Sequence, residues 1–232
     1  MIRNEKGFTL VELLVTLALT GVVMIAVYKT FTWQQKVHAV QESVAMMQQD
    51  CRVGMEVMLR DLRMAGYSPA KAGVASIRAA TATSIQFTKD LSGNGICETT
   101  VDTNGNGVIE QCEDITYSLS GAGLNWSLVR NDTVNTDALV SNVDALDFVY
   151  LKADGTDITA LVIADPASNI PNIRSIQVTV VVRSDMPDKD FRSTATYRNQ
   201  QGTPLVLKTA ADNRYRHRVL TATVRCRNLG TN

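Results

Sequence analysis

The chain has 232 residues, of which 45% are apolar and 20% are charged, and its 23 basic side chains balance 23 acidic ones. This length allows one domain of ordinary size with an appendage. Zero net charge excludes a general attraction to nucleic acid or to acidic substrates, because such attraction needs an excess of basic groups.

The first 28 residues divide into a short polar segment and a long apolar one. Met1–Gly7 is polar, and its Arg3 and Lys6 are expected to stay in the cytoplasm by the positive-inside rule. Phe8–Tyr28 is nearly all apolar and long enough to cross a bilayer as one helix, with Glu12 as its one charge. A secretory signal has its cleavage site after the apolar run, whereas here the polar-to-apolar junction comes before it.

A helical pattern continues beyond the apolar run. Apolar residues recur in steps of three and four, which is typical of one face of a helix. They are Val37, Val40, Val44, Met47, Cys51, Met55, Met58 and Leu62. Gly66 and Pro69 then favour a helix end. We predict one long helix from Phe8 to about Ala65, and pairing of two copies as a coiled coil through the same stripe is the alternative.

Beyond Tyr67 the apolar period changes to two, which indicates strands. The alternating segments are Ser84–Thr88, Asp114–Leu119, Leu124–Leu128, Leu146–Tyr150, Ile176–Val182 and Leu220–Cys226. A turn at Gly121-Ala122-Gly123 joins the second and third into a predicted hairpin. Ala164–Asn172 is predicted to be a polar loop, and Arg183–Asp212 a surface excursion of low order or a hairpin arm. The fold class is therefore α+β, with an antiparallel sheet on the outer half of the long helix.

The segment Asp102–Glu113, DTNGNGVIEQCE, fits the calcium-loop pattern at every ligand position. Oxygen ligands would come from the side chains of Asp102, Asn104 and Asn106, the carbonyl of Val108, Glu110 through water, and both carboxylate oxygens of Glu113. Helices do not flank the segment, and Asn-Gly pairs also favour tight hairpins. Calcium is therefore the predicted cofactor, and a plain polar turn is the alternative.

Four cysteines would lie in an oxidising compartment if the residues after Tyr28 are translocated. Cys97 and Cys112 bracket the calcium-like segment, and a disulfide closing that loop would stabilise it by about 3 kcal/mol. Cys51 lies on the apolar stripe of the helix, and Cys226 lies on the apolar face of the last strand. These two are predicted to form a second disulfide across the helix–sheet interface, with two buried free thiols as the alternative.

Basic side chains are concentrated near the end of the chain. They are Arg214, Arg216, His217, Arg218, Arg225 and Arg227. The cluster could meet DNA or another anionic surface, or its arginines could face solvent and pair with acids of other chains. The sequence contains no serine elbow, metalloprotease histidine pair or phosphate loop, so no enzyme activity is predicted.

The residues from Gly7 to Leu13, G-F-T-L-V-E-L, resemble the leader of type IV pilins and type II secretion pseudopilins. The resemblance implies cleavage after Gly7 by a prepilin peptidase and N-methylation of the new terminus at Phe8. It also implies that Glu12 pairs with the terminal amine of a neighbouring subunit. A carboxylate at membrane depth costs about 3 kcal/mol, and such a partner would offset that cost.

Two further segments resemble PilW-type minor pilins: Asp61–Pro69, DLRMAGYSP, and His217–Asn228, HRVLTATVRCRN. The resemblance implies a leader at 1–7, a transmembrane and assembly helix at 8–28, an amphipathic continuation at 29–66 and a periplasmic β-rich domain at 67–232. The implied function is a minor pilin in the initiation or tip assembly of a type IV pilus. The alternatives are a J-like minor pseudopilin and a module at the pilus tip that binds DNA or a surface.

The implied partners are other minor pilins, the major pilin, the prepilin peptidase, the inner-membrane assembly platform and a tip adhesin. The implied location is the inner membrane, with a single pass and a periplasmic domain, and then the extracellular pilus. Nucleic acid is expected as a partner only under the module alternative.

Overall fold

The structure is a computed structural model that describes residues 7–69, 76–90, 113–132, 135–209 and 212–229. The chain forms two compact units, Met1–Ala45 and Met46–Asn232. The first unit is helical from Leu10 onward. The second contains the end of the same helix together with two antiparallel sheets, so the predicted α+β class is confirmed.

Helix α1 spans Leu10–Met64, within two residues of the prediction at each end. In the first unit its large apolar side chains are exposed from Leu10 to Trp33. In the second unit the predicted stripe is buried from Met47 to Leu62. The helix ends at Gly66, which has φ of 75° and whose N–H donates to the carbonyl of Thr88 at 3.0 Å. A side chain there would both strain the backbone and meet Leu229, so the position requires glycine.

Five strands form the first sheet as a meander in chain order. They are β1 (Ile77–Ala80), β2 (Ile85–Lys89), β3 (Glu113–Ala122), β4 (Asn125–Asn131) and β5 (Thr136–Val140). The predicted hairpin of β3 and β4 is confirmed, but its loop is Gly123-Leu124, because Ala122 already pairs with Asn125. Gly123 has φ of 59°, which suits the first position of a two-residue hairpin loop.

Three strands form the second sheet, again in chain order. They are β6 (Val143–Leu151), β7 (Ser175–Arg183) and β8 (His217–Arg225). Every residue of β6 and β7 is buried or half-buried, whereas β8 alternates between covered and exposed positions over much of its length. All three strands were predicted, while the short strands β1 and β5 were not.

The predicted loop Ala164–Asn172 is helical, and the prediction was wrong there. Helix α2 spans Thr159–Ala164, helix α3 spans Pro166–Asn169, and a 3-10 turn follows at Ile170–Asn172. Asp165 caps α3 by accepting a hydrogen bond from the N–H of Ser168 at 3.3 Å, and proline at the first helical position is pre-organised for a helix.

We call residues 184–216 the strap. Its two arms are joined by backbone hydrogen bonds, including Ser184 N–H to the Arg216 carbonyl at 2.8 Å and Ser193 N–H to the Asn213 carbonyl at 2.7 Å. Near its tip, Arg198 pairs with Pro204. The described part of the strap is therefore an ordered hairpin arm, the second of the two predicted forms.

Candidate assembly sites

The polar-to-apolar junction is open in the structure. Phe8 is 86% exposed, and a side chain built on Gly7 would meet no atom within 4 Å. Gly7 also lies outside the positive-φ region. Neither space nor backbone conformation therefore requires glycine at this position in the folded chain.

Thr9 and Glu12 cap the start of α1 reciprocally. The Thr9 hydroxyl accepts a hydrogen bond from the Glu12 N–H at 3.2 Å. One oxygen of Glu12, Oε2, accepts from the Thr9 N–H at 3.2 Å and from the Thr9 hydroxyl at 3.1 Å. This is the capping-box arrangement, in which N–H groups at the helix start are satisfied by side chains. Glu12 is therefore bonded within its own chain before any neighbour is present.

The first half of α1 could cross a membrane. Within the described residues, α1 is long and apolar enough to do so by length and composition. Its threonine hydroxyls donate hydrogen bonds to carbonyls of the preceding helical turn. Thr20 donates to the Thr16 carbonyl at 2.7 Å, and Thr30 donates to the Ala26 carbonyl at 3.0 Å. These bonds leave few polar groups on the helix surface that need water.

Asp61, near the end of α1, is the centre of a buried charge cluster. Its Oδ1 lies 3.2 Å from Lys89 Nζ, and its Oδ2 accepts from the Tyr117 hydroxyl at 2.8 Å and from Arg130 Nε at 2.9 Å. Arg130 also bonds Asp132 at 2.6 Å. The Asp61 side chain is only 12% exposed.

The cluster joins α1 to three strands, because Lys89, Tyr117 and Arg130 belong to β2, β3 and β4. Burial opposes ionisation of Asp61, but hydrogen bonds from Arg130 and Tyr117 and the charge of Lys89 outweigh it and hold its pKa below the usual value. Burial and the Asp61 charge raise the pKa of the Tyr117 hydroxyl. Asp61 is thus a carboxylate that positions the helix end on the sheet.

A second buried carboxylate, Asp144 of β6, holds the strap. Asp144 Oδ2 lies 2.7 Å from His217 Nε2 and accepts from the Thr209 hydroxyl, while Oδ1 accepts from the Thr209 N–H at 2.8 Å. The ring of Tyr197 lies against His217, with 5.3 Å between centroids. Burial raises the pKa of Asp144, but the hydrogen bonds from His217 and Thr209 lower it by more than burial raises it. The net shift of the pKa is therefore downward.

Acid is expected to weaken this attachment. The pKa of Asp144 is lower in the folded chain than the unfolded value of about 3.9. The stabilisation is therefore complete above about pH 5 and is lost progressively as the pH falls through the unfolded pKa and then through the folded pKa. We expect the thermal midpoint of the detergent-solubilised chain to fall between pH 5 and pH 3, with a shallower slope in Asp144→Asn.

The matched control is Asp137→Asn, since Asp137 is an exposed aspartate on β5. It should keep the slope of the unsubstituted chain. Equal slopes for all three proteins would contradict a stabilising role for the Asp144 carboxylate.

The fold separates the basic residues near the end of the chain into a paired group and an exposed group. Arg214 pairs with Asp212 at 2.8 Å and Arg216 with Asp188 at 2.9 Å, both within the strap. His217 is buried on Asp144. The other three arginines of the cluster, at 218, 225 and 227, are exposed and form no ion pair with a described residue. These three arginines are therefore the members of the cluster that have no acidic partner among the described residues.

The predicted calcium ligands Asp102, Asn104, Asn106, Val108 and Glu110 lie outside the described residues. Glu113 begins β3, but its side chain is likewise outside the description. Within the described residues, no three His, Cys, Asp or Glu side chains form a group that could hold a metal ion. Calcium binding stays a prediction.

The predicted disulfides also remain predictions. Cys97 and Cys112 lie outside the described residues. Cys51 and Cys226 are both buried and stand in the structure as free thiols. Burial raises the pKa of Cys51 to about 11 and that of Cys226 to about 12, so little reactive thiolate is present at neutral pH.

The sequence pattern predicts neither of the two buried carboxylate clusters. Asp61 lies in the segment that resembles PilW-type minor pilins, and Asp144 belongs to no predicted site. The signal for the cap at Thr9 was present, since Thr-x-x-Glu before an apolar run is a known start pattern. Asp61 carried a weaker signal, because an acid within the amphipathic stretch and one residue before the buried Leu62 needs a partner.

The chain has an exposed apolar helix with a carboxylate near its start, and this helix continues into an α+β domain. These features define a class of membrane-anchored proteins with a prepilin-like amino-terminal segment. Residues 2–28 match the profile described as the prokaryotic N-terminal methylation motif. Residues 100–228, more than half of the chain, match the profile described as Type IV Pilus-assembly protein W. The chain belongs to the PilW family.

Among solved structures, the chain is similar to the Type IV-like pilin TTHA1219 from Thermus thermophilus. The match has 10% identity and a TM-score of 0.42, and it covers 78% of this chain and 97% of that one. A search of curated protein sequences gives no match.

Proposed function

We propose that this PilW-family chain is a minor pilin that takes part in the initiation or tip assembly of a type IV pilus. The observation that carries the proposal is the exposed apolar first half of α1 with Glu12 near its start. Such a surface is stable in lipid or among like helices, but not in water. The proposed role is structural.

The proposed mechanism begins in the inner membrane, where the chain is anchored by α1 with its domain in the periplasm. A prepilin peptidase cuts after Gly7, and Phe8 becomes the methylated terminus. The apolar side chains of α1 then move from lipid into a bundle of pilin helices. There Glu12 exchanges its bonds to Thr9 for the terminal amine of a neighbour, which sets the register.

The partners under this proposal are other minor pilins, the major pilin, the peptidase and the assembly platform. A tip adhesin is included because a minor pilin at the fibre end would be its support. Membership of the PilW family supports assembly with pilins in general. The place of this chain at the start or tip of the fibre is our proposal.

Replacement of Gly7 by valine is expected to leave an uncut precursor in the membrane. The fold offers ample space at this position, so the substitution should not affect folding, and its effect should arise at the peptidase. The matched control is Gly21→Val, because a side chain at Gly21 also meets no atom within 4 Å. Mass spectrometry of the membrane fraction should find residues 1–7 still attached in the first variant and a start at Phe8 in the second. Normal processing of Gly7→Val would contradict the proposed cleavage site.

Calcium is proposed to bind the segment 102–113 with a dissociation constant of about 0.1–1 mM, the range of extracellular modules. At 10 mM calcium, a site of about 1 mM would stabilise the chain by about 1.4 kcal/mol. This corresponds to a rise of about 3–5 °C in the thermal midpoint of the detergent-solubilised chain. The double variant Asp102→Ala with Glu113→Ala should lose the rise, and magnesium should not reproduce it. A midpoint indifferent to calcium would leave the segment a plain turn.

A further inference from the structure

Strand β8 is the outer strand of the second sheet. Its register shows which backbone groups face β7: Ser184 N–H donates to the Arg216 carbonyl at 2.8 Å, and Cys226 N–H donates to the Arg174 carbonyl at 2.9 Å. Bonding alternates along an antiparallel strand, so the even-numbered residues of β8 bond β7. The N–H and C=O groups of the odd-numbered residues therefore point away from it: Val219, Thr221, Thr223 and Arg225.

This outward edge is open. The side chains of all four residues are exposed, and within the described part of the chain no hydrogen bond reaches their backbone groups. The strap contacts β8 beside the edge instead, where Gln200 Nε2 donates to the Ala222 carbonyl at 3.1 Å and Gln200 Oε1 accepts from the Thr223 hydroxyl at 2.9 Å. An open edge of this kind is a template for addition of a further strand.

The charge along the edge has one sign. Arg218 and Arg225 lie at the two ends of the open stretch, about 24 Å apart at the usual rise of a strand, and Arg227 follows just beyond. All three are exposed and without an ion pair to a described residue, in contrast to Arg214 and Arg216 of the strap. Acidic side chains on an added strand would find unpaired partners at both ends.

A second copy of this chain lacks the charge that the edge would select. Residues 217–228 contain the three exposed arginines and no acidic residue. An acidic strand therefore complements the edge better than a second β8 does, and a surface discriminates between partners by such differences.

We propose that the β8 edge receives an extended acidic segment of a neighbouring fibre subunit, an inference that rests on the proposed function. The segment adds as a strand about eight residues long. Acidic side chains at its ends face Arg218 and Arg225, and β-branched residues between them face Val219 and Thr221. Backbone hydrogen bonds give the affinity, and the end charges select the partner.

A synthetic peptide tests the edge directly. The probe has six alternating valine and threonine residues with glutamate at both ends, and the matched control has lysine at both ends. Hydrogen exchange of the detergent-solubilised chain is measured at the amides of β8. At ten times its dissociation constant, the acidic peptide should slow exchange at residues 219, 221, 223 and 225 about tenfold. The even-numbered amides should be protected with or without it.

Thr221→Pro is the matching variant. Proline at 221 removes an N–H that faces the open edge and none that bonds β7, so the sheet should persist while strand addition is blocked. Thr221→Val is the control and should respond like the unsubstituted chain. Protection of the even-numbered amides shows that the Thr221→Pro chain is folded. Three results would overturn the inference: no protection by the acidic peptide, equal protection by both peptides, or tight binding of duplex DNA to the three arginines in place of the peptide.

Assembly in cells separates this inference from the proposed function. We expect Thr221→Pro to lower recovery of the chain in sheared fibres at least about tenfold, the loss that removal of roughly 1.4 kcal/mol of subunit contact produces. If Glu12→Ala prevents assembly and Thr221→Pro leaves recovery unchanged, the edge inference fails and the proposed function stands. If neither substitution has an effect, both fail.

Discussion

Glu12→Ala is expected to insert in the membrane and to be cut normally, yet to be absent from fibres. The substitution removes a carboxylate that costs about 3 kcal/mol at membrane depth, so anchoring should improve. It also removes the group proposed to pair with the amine of a neighbouring subunit. Recovery of the chain in the sheared fibre fraction should fall to background while the membrane fraction still holds the mature form.

Glu12 has two roles in this account, and a second substitution separates them. Glutamine can replace glutamate in a capping box, so Glu12→Gln keeps the bonds to Thr9 but carries no charge. If the charge pair sets the register, Glu12→Gln should fail like Glu12→Ala. Thr9→Val, which loses the cap and keeps the charge, should assemble in reduced amount.

Normal recovery of Glu12→Ala in fibres would contradict the proposed register pair. Normal recovery of Glu12→Gln together with failure of Thr9→Val would show that the cap matters and the charge does not. Both comparisons use the same quantity, the amount of mature chain in sheared fibres relative to the membrane.

Asp61→Ala is expected to destabilise the second unit by about 3 kcal/mol, the lower end of the range for breaking a buried charge pair. The substitution leaves the Tyr117 hydroxyl and the Nε of Arg130 without their acceptor in a covered site. It also removes the bonds that attach α1 to β2, β3 and β4. The thermal midpoint of the detergent-solubilised chain should fall by about 6–12 °C.

Glu56→Ala is the matched control, because Glu56 also pairs with an arginine of α1 but at the surface. Its oxygen lies 3.9 Å from Arg60, and the two side chains are 71% and 73% exposed. The expected loss is below about 0.5 kcal/mol. Equal midpoints for Asp61→Ala and Glu56→Ala would contradict the stabilising role of the Asp61 cluster.

The sequence predicted the long helix and the central strands because their signals are local. Apolar residues recur several times along the stripe from Met47 to Leu62 and along β7. The repetition shows both the period and which residues face the core. The strands β1 and β5 are short and read IRAA and TDALV, in which apolar and polar residues do not alternate as they do in β2. The segment Ala164–Asn172 was predicted to be a polar loop, although Asp165 and the proline that follows it begin a helix.

The buried clusters could not be predicted because their members are distant in sequence. Asp61 is 69 residues from Arg130, and Asp144 is 73 from His217. Bringing them together depends on the register of two sheets, which a period of two does not specify. The open edge of β8 depends on the same register, since the parity of its bonds to β7 determines which residues face outward.

The most direct test of the account is the mass of the amino-terminal peptide of this chain recovered from sheared fibres. We expect a chain that begins at Phe8, carries one added methyl group on its amine and is present in the fibre fraction. A chain that retains Met1–Gly7, or one that is found in membranes and never in fibres, would contradict it.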